Sequence, residues 1–225
     1  MPASHGTHPL KIAAVLFDMD GTLVDSDAAV DRAWITWSEQ YGVDPAVPLA
    51  IAPGHPADAT IAKILTDADP AAITEAAARQ LALQYDDLAD VVAIDGAHEL
   101  IAFLDERALP WAVVTSADQR LAKLRLAAAG ISPGILITTD DIEAGKPDPA
   151  GYLRAAELLG VAPEHCLVVE DAEPGVAAGR AAGATVAALK GVPGDIQIDG
   201  LRRVIELIAE LIGESVTESV TEPQA

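Results

Sequence analysis

Residues 15–26 read VLFDMDGTLVDS, and the order of residue types in that stretch decides how the rest of the chain is read. The apolar run 12–17 is unbroken, which predicts a buried strand. Asp18 and Asp20 follow at once, with Gly21 and Thr22 behind them, so the first polar side chains fall where the strand ends and the chain turns. In an open α/β sheet, that carboxyl edge is where ligands bind. A single aspartate at a turn has an ordinary explanation. A pair is harder to explain: at an effective dielectric of 20, two unit charges about 4 Å apart interact by roughly 4 kcal/mol. Two neighbouring carboxylates at the end of a buried strand therefore call for a compensating cation.

Downstream of this stretch the pattern becomes helical. Residues 27–41 carry Val30, Ala33, Trp34 and Trp37 at helical spacing and end at Tyr41-Gly42. A second helix is expected from near Pro56 and Asp58 through Ile61, Ile64 and Leu65, and a third over about 71–89, with no strand among them. From residue 96 helices and strands alternate: helix 96–107 and strand 111–115, helix 118–129 and strand 135–139, helix 149–159 and strand 166–170, helix 175–183 and strand 184–189. A short IQI and an amphipathic helix over 201–212 close the pattern. Such alternation implies a parallel sheet covered on both faces. The expected fold is α/β, with a discontinuous core domain (1–24 and 93–213), an inserted helical domain (25–92) and a terminal tail (214–225).

Composition narrows the partners. Fourteen Lys and Arg against 35 Asp and Glu give a net charge of −21, which makes nucleic acid and acidic membrane surfaces poor partners. An anionic substrate would need a local positive site made by a metal, a lysine or backbone amides. Cys166 is the only cysteine, so no intramolecular disulfide forms; its apolar setting, CLVV, predicts a buried, inert thiol. The chain shows no signal peptide or membrane-spanning apolar run, so a cytoplasmic protein is expected, and a monomer because no exposed apolar interface stands out.

Parallel strands bring their carboxyl ends to one edge. Here those ends carry Asp18, then Thr115 and Ser116, then Glu170 and Asp171. Between them lies GKPDP (145–149), whose Lys146 precedes proline and is kept out of helix. Four carboxylates, two hydroxyls and an ammonium group in one crevice suit phosphoryl transfer. A carboxylate with an ordinary pKa, about 3.9, is ionised at neutral pH and can attack phosphorus without a base. A second carboxyl group can protonate the leaving alkoxide and later take a proton from water. A hard divalent cation, most simply Mg2+, offsets the repulsion between such a cluster and a phosphate dianion. Lys146 and the groups at Thr115 and Ser116 would hold the remaining phosphoryl oxygens.

The four segments FDMDGT, VVTS, GKPDP and VVEDAEPGV, in this order, resemble the haloacid dehalogenase superfamily, in its branch of phosphatases with a helical cap inserted after the first motif. The resemblance implies a Rossmann-like core with a four-helix cap, Asp18 as nucleophile and Asp20 as acid/base. It also implies that Asp18, the backbone carbonyl of Asp20 and Asp171 hold Mg2+, with Glu170 alongside, and that Thr115, Ser116 and Lys146 bind the phosphoryl group. Asp20 argues against the dehalogenases, which need no proton donor for a halide. The motif RAW, which contains Trp34, is shared with the β-phosphoglucomutases, but their cap histidine falls at Val30 and their cap arginine at or next to Ala57. The segments GHPADATIAKI, AVDRAW and PWAVVTS are most similar to sugar-phosphate and glycerol-phosphate phosphatases. That similarity implies Gly54, His55 and Asp58 as substrate-loop residues and Trp34 as a wall, although Trp34 and Trp37 are equally read as cap core. The expected activity is hydrolysis of a small sugar or polyol monophosphate. A hexose-phosphate mutase is the alternative enzyme, and a phosphoacceptor binding module like a receiver domain the alternative of another class. Asp95 stands where such relatives often have proline before glycine, near one of two expected hinges, 24–26 and 92–96.

Overall fold

The computed structural model describes residues 12–212; the expected tail 214–225 and the first eleven residues lie outside them. β1 (Ala14–Phe17) is followed by the two-residue β2 (Val24–Asp25) and four helices, α1 (Asp27–Tyr41), α2 (Ala46–Ile51), α3 (Ala57–Ile64) and α4 (Pro70–Tyr85). After β3 (Val92–Ala93) come α5 (Ala97–Glu106), β4 (Trp111–Val114), α6 (Gln119–Ala128), β5 (Leu136–Ile137), α7 (Ala150–Leu159), β6 (Cys166–Glu170), α8 (Glu173–Ala181), β7 (Thr185–Ala188), β8 (Ile196–Gln197) and α9 (Leu201–Ile212). Six strands form one sheet in the order β5-β4-β1-β6-β7-β8, and every pairing in it is parallel. This is the Rossmann-like α/β architecture expected from the alternating pattern.

β1 lies between β4 and β6, with Phe17 level with Val113 on one side and Val169 on the other. Its four residues are fully buried because both faces of the sheet are covered. Val15 and Phe17 point into one apolar cluster with Leu100, Leu126, Leu201 and Ile208, from α5, α6 and α9. Ala14 and Leu16 point into the other, with Tyr152 and Val176 from α7 and α8. That two-residue alternation is why the run reads as uniformly apolar.

The insert has a core of its own, built from Trp34, Trp37, Ala52, Ile61 and Ala76. Trp37 packs edge-on to Trp34, stacks on Tyr41 and donates its indole N–H to the Ala76 carbonyl at 2.9 Å. Several elements depart from expectation. α2 carries Pro48 within its first turn, where a missing N–H costs no hydrogen bond, so the AVPLAI run folds as a helix despite looking broken. α4 begins one residue earlier than expected, with Asp69 capping Ala72 N at 2.8 Å, and stops at Tyr85 instead of about residue 89. Acidic residues are unfavourable at a helix C-terminus, and Asp87 and Asp90 instead clamp Arg32 of α1 at 2.7–2.9 Å. The stretch 27–89 holds no strand, as expected, but one short pairing that the sequence did not reveal flanks it. β2 and β3 run antiparallel across the base of the insert, Val24 opposite Ala93. Finally, β5 is shorter than the five-residue ILITT run. Thr138 leaves the sheet to cap a 3-10 turn (Thr139–Asp141), donating its hydroxyl to Asp141 at 2.7 Å. Among the described residues no helix is long and apolar enough to cross a membrane.

Candidate active site

The register of β1 and β6 brings the acidic residues together. Asp18 continues the pairing of β1 one residue past the strand, its N–H donating to Val169 O at 3.0 Å, which sets it beside Glu170. Lys146, on the loop between β5 and α7, places its ammonium 2.5 Å from Asp18 Oδ1 and 2.6 Å from Glu170 Oε1, and donates to Val114 O at 3.0 Å. One buried lysine thus joins the ends of β1, β4 and β6. Glu170 is fixed further: Tyr152 donates its hydroxyl to Oε1 at 2.6 Å, and the N–H groups of Asp171 and Ala172 donate to Oε2 at 3.2 and 3.4 Å. Asp171 pairs with Lys190 at 3.1 Å, and Lys190 also meets Asp27 of α1 at 3.1 Å.

Asp18, Glu170 and Asp171 each offer a carboxylate oxygen, and these atoms lie within 4.8 Å of one another. An all-oxygen, anionic donor set at that spacing suits a hard divalent cation such as Mg2+. The chain turns tightly against the cluster: a Cβ on Gly21, at φ +84, would fall 2.0 Å from Asp171 Oδ2. Burial pushes the Asp18 carboxyl well above its ordinary value of 3.8; Lys146 opposes that, while Glu170 and Asp171 add to it. The ammonium of Lys146 is the neighbouring positive charge that favours the Asp18 carboxylate against this burial. Asp171 is raised in the same way by burial, against the pull of Lys190. For Lys146, burial works against the charge, but Asp18 and Glu170 outweigh it and hold the ammonium above its usual range.

Asp20 stands apart from this cluster. Ser26 donates to its Oδ1 at 2.7 Å, and Arg125 Nη1 lies 2.9 Å from its Oδ2. Thr115 and Ser116 reach the same edge but differ. The Thr115 hydroxyl accepts from Ala117 N at 3.1 Å, whereas the Ser116 hydroxyl is buried with no hydrogen-bond partner. An orphaned buried donor lining the same cavity as Lys146 and Asp18 marks where a ligand oxygen fits.

A cavity of about 1460 Å³ separates these strand ends from the insert, and Asp18, Ser116, Lys146, Trp34, His55 and Asp58 all line it. Gly54 sits where the insert touches the core: at φ +73, a Cβ there would fall 2.6 Å from Ala172 Cβ. His55 Nδ1 is 3.0 Å from Pro53 O, and Asp58 accepts from Ala59 N at 2.7 Å. Trp34 is buried in the insert's core and also lines the cavity. Cys166 is buried, with its thiol pushed up to about 11 by burial, as its apolar surroundings predicted.

Three residues of the site were missed. Lys190 follows β7, and the rule that found the other strand ends would have found it. Arg125 and Gln84 are buried polar residues on α6 and α4. The one available signal was Arg125 standing on the stripe formed by Leu121, Ala122 and Leu126.

A parallel sheet bearing acid, hydroxyl and lysine groups at one edge, with helices inserted straight after the first strand, defines a class. The family model described as haloacid dehalogenase-like hydrolase matches residues 12–183, and the chain belongs to that family. It is 38% identical over 181 residues to hexitol phosphatase A of Escherichia coli (strain K12), covering 80% of this chain and 84% of that protein. It is 36% identical over 173 residues to validoxylamine A 7'-phosphate phosphatase of Streptomyces hygroscopicus subsp. limoneus, covering 75% and 81%. Among solved structures, a β-phosphoglucomutase from Clostridium difficile superposes with a TM-score of 0.80 at 18% identity, covering 90% of this chain and 97% of that one, which speaks for the fold alone.

Proposed function

We propose that this hydrolase is a magnesium-dependent phosphatase acting on small sugar or polyol monophosphates through phosphorylated Asp18. The observation that carries the proposal is the contact of Lys146 with both Asp18 and Glu170 at the rim of a cavity that also holds the unpartnered Ser116 hydroxyl. Residues 25–92 then serve as a cap over the core, hinged near 24–26 and 92–96, in a cytoplasmic monomer.

In this reading an Asp18 carboxylate oxygen bonds to phosphorus as the bond from phosphorus to the leaving oxygen breaks, and Asp20 gives its proton to that oxygen. Asp20 then takes a proton from the water that attacks the phosphorylated Asp18. The Asp18–phosphorus bond breaks, and inorganic phosphate leaves. Lys146, Ser116 and the groups at Thr115 hold the transferring oxygens, so the phosphoryl group meets Asp18 in a fixed orientation. Asp18, Asp171 and the backbone carbonyl of Asp20, with Glu170 alongside, would hold Mg2+, which supplies positive charge to the phosphoryl oxygens.

The substrate class rests on the relatives, which are named for a hexitol phosphate activity and for a 7'-phosphate of validoxylamine A. Val30 and Ala57 both line the cavity and are apolar at the positions where the resemblance puts a mutase's histidine and arginine. A mutase must hold the second phosphate of a bisphosphate, so hydrolysis is favoured. Phosphate release over a panel of sugar and polyol monophosphates tests the proposal. Release should disappear with chelator and with Asp18→Asn; undiminished turnover in either refutes it. Isomer formed faster than free phosphate, after priming with a bisphosphate, would favour the mutase instead.

A further inference from the structure

We propose that Arg125 is a positioning residue for Asp20, and that Gln84 of the insert docks it, so that the acid is oriented only when the insert is seated on the core. The inference rests on the acid/base reading of Asp20 given above.

Arg125 projects from α6, is 3% exposed, and divides its guanidinium between two partners. Nη1 lies 2.9 Å from Asp20 Oδ2, and Nη2 donates to Gln84 Oε1 at 2.7 Å. Gln84 in turn donates to Gln80 Oε1 at 2.5 Å. Both glutamines lie on α4 of the insert, so one polar chain runs from the insert's interior to the Asp20 carboxylate. Arg125 Nε and Gln80 Nε2 are buried and unpartnered, so the chain has no other outlet among the described residues. A second contact ties the same two helices. Tyr85 donates its hydroxyl to Asp118 at 2.8 Å, and the Arg120 guanidinium lies 4.0 Å over the Tyr85 ring.

The arrangement holds each oxygen of Asp20 separately, Oδ1 by Ser26 and Oδ2 by Arg125. A guanidinium only donates, so the oxygen it holds remains an acceptor, and a proton destined for the leaving group rides on Oδ1. A hydroxyl alone leaves the carboxyl plane free to rotate about its bond to the chain. Arg125 removes that freedom, and Gln84 fixes Arg125. A planar fork aimed at two partners is rigid in a way an ammonium is not.

The test exploits leaving-group chemistry. An alkyl phosphate such as a hexitol monophosphate needs a proton on its departing oxygen, while p-nitrophenyl phosphate releases a stable phenolate and needs none. The readout is the ratio of kcat/KM on the two substrates, which reports transfer to Asp18 and leaves out the water attack that both substrates share. Arg125→Met is expected to lower kcat/KM on the hexitol phosphate about 10- to 100-fold and to alter kcat/KM on p-nitrophenyl phosphate by less than about threefold. Arg125→Lys should recover part of the ratio, and Gln84→Ala should shift it in the same direction by less. A merely structural role would lower both kcat/KM values together, and that result overturns the proposal. If Arg125→Met does not fold, Arg125→Lys and Gln84→Ala carry the same readout, and a wild-type ratio in both overturns it equally. Asp20→Asn separates the two layers: an unchanged ratio there refutes the acid/base reading, whereas a shifted ratio there without one in the Arg125 variants refutes the positioning role alone.

Discussion

Gly175 lies in the first turn of α8, in a backbone conformation that any residue adopts, so helix propensity alone predicts that Gly175→Ala stabilises the protein by about 1 kcal/mol. The surroundings predict the opposite. A Cβ at this position would fall 1.7 Å from Glu170 Oε1 and 2.3 Å from Oε2, so the carboxylate has to leave. The carboxylate end of a glutamate is ordinarily easy to move, but this one is 1% exposed and held by Lys146 and Tyr152, each at 2.6 Å, and by two backbone N–H groups. Displacing it strips Lys146 of one of its two carboxylate partners inside the protein, a loss of about 3–5 kcal/mol for a broken buried pair. Subtracting the helix gain leaves a net destabilisation of about 2–4 kcal/mol, or a fall in Tm of roughly 4–16 °C at the 2–4 °C per kcal/mol typical of this chain length. Calorimetry on Gly175→Ala, Glu170→Ala and the double variant decides the matter. Expected is a double variant no less stable than Glu170→Ala alone, because the clash has lost its target. A Gly175→Ala protein as stable as wild type, or costs that simply add, would refute the reasoning.

The two hydroxyls at the end of β4 should behave differently. Ser116→Ala is expected to leave Tm unchanged, since its hydroxyl has no partner to lose, while raising KM about tenfold through one lost hydrogen bond to a charged ligand. Thr115→Ala should cost about 1 kcal/mol by removing the acceptor of Ala117 N, and a Tm fall for Ser116→Ala equal to that for Thr115→Ala would contradict the assignment. Magnesium should stabilise in a pH-dependent way. Asp18 and Asp171 sit above their ordinary 3.8 in the folded protein, so from that value upward the native state binds more protons than the unfolded chain, and ion-free stability falls as pH rises through the window. An ion that binds the deprotonated native cluster reverses this penalty, so the Tm gain on adding Mg2+ should be larger near pH 7 than near pH 5. Equal gains at both would refute the coupling.

Most of the sheet was legible because β1, β4, β6 and β7 are buried on both faces and leave short apolar runs ending in polar residues. Asp18 and Glu170 could be brought together from the sequence by one rule, that parallel strands deliver their carboxyl ends to a common edge, and Lys146 by its place before proline in a loop between two of those ends. What escaped has local causes. β2 and β3 hold two residues each, too few for any alternation to register. α2 contains a proline whose harmlessness depends on its position in the first turn, a boundary no local pattern reveals. α4 stops early because Asp87 and Asp90 find Arg32, a partner more than fifty residues away. Arg125 and Gln84 meet only through the docking of two helices, and only their joint burial shows that they belong to the site.

The sheet order carries one more implication. Asp18, Thr115 and Glu170 sit at the ends of β1, β4 and β6, three adjoining strands, whereas both outermost strands, β5 and β8, are only two residues long. At about 4.8 Å between neighbours, these strand ends span roughly 10 Å of sheet. The molecule can therefore erode from the β8 flank, by breathing in solution or by drift in sequence, before those three strand ends notice, whereas the β5 flank leads into the loop that carries Lys146. Substitutions along the β8 margin should shorten the protein's lifetime well before they slow its turnover.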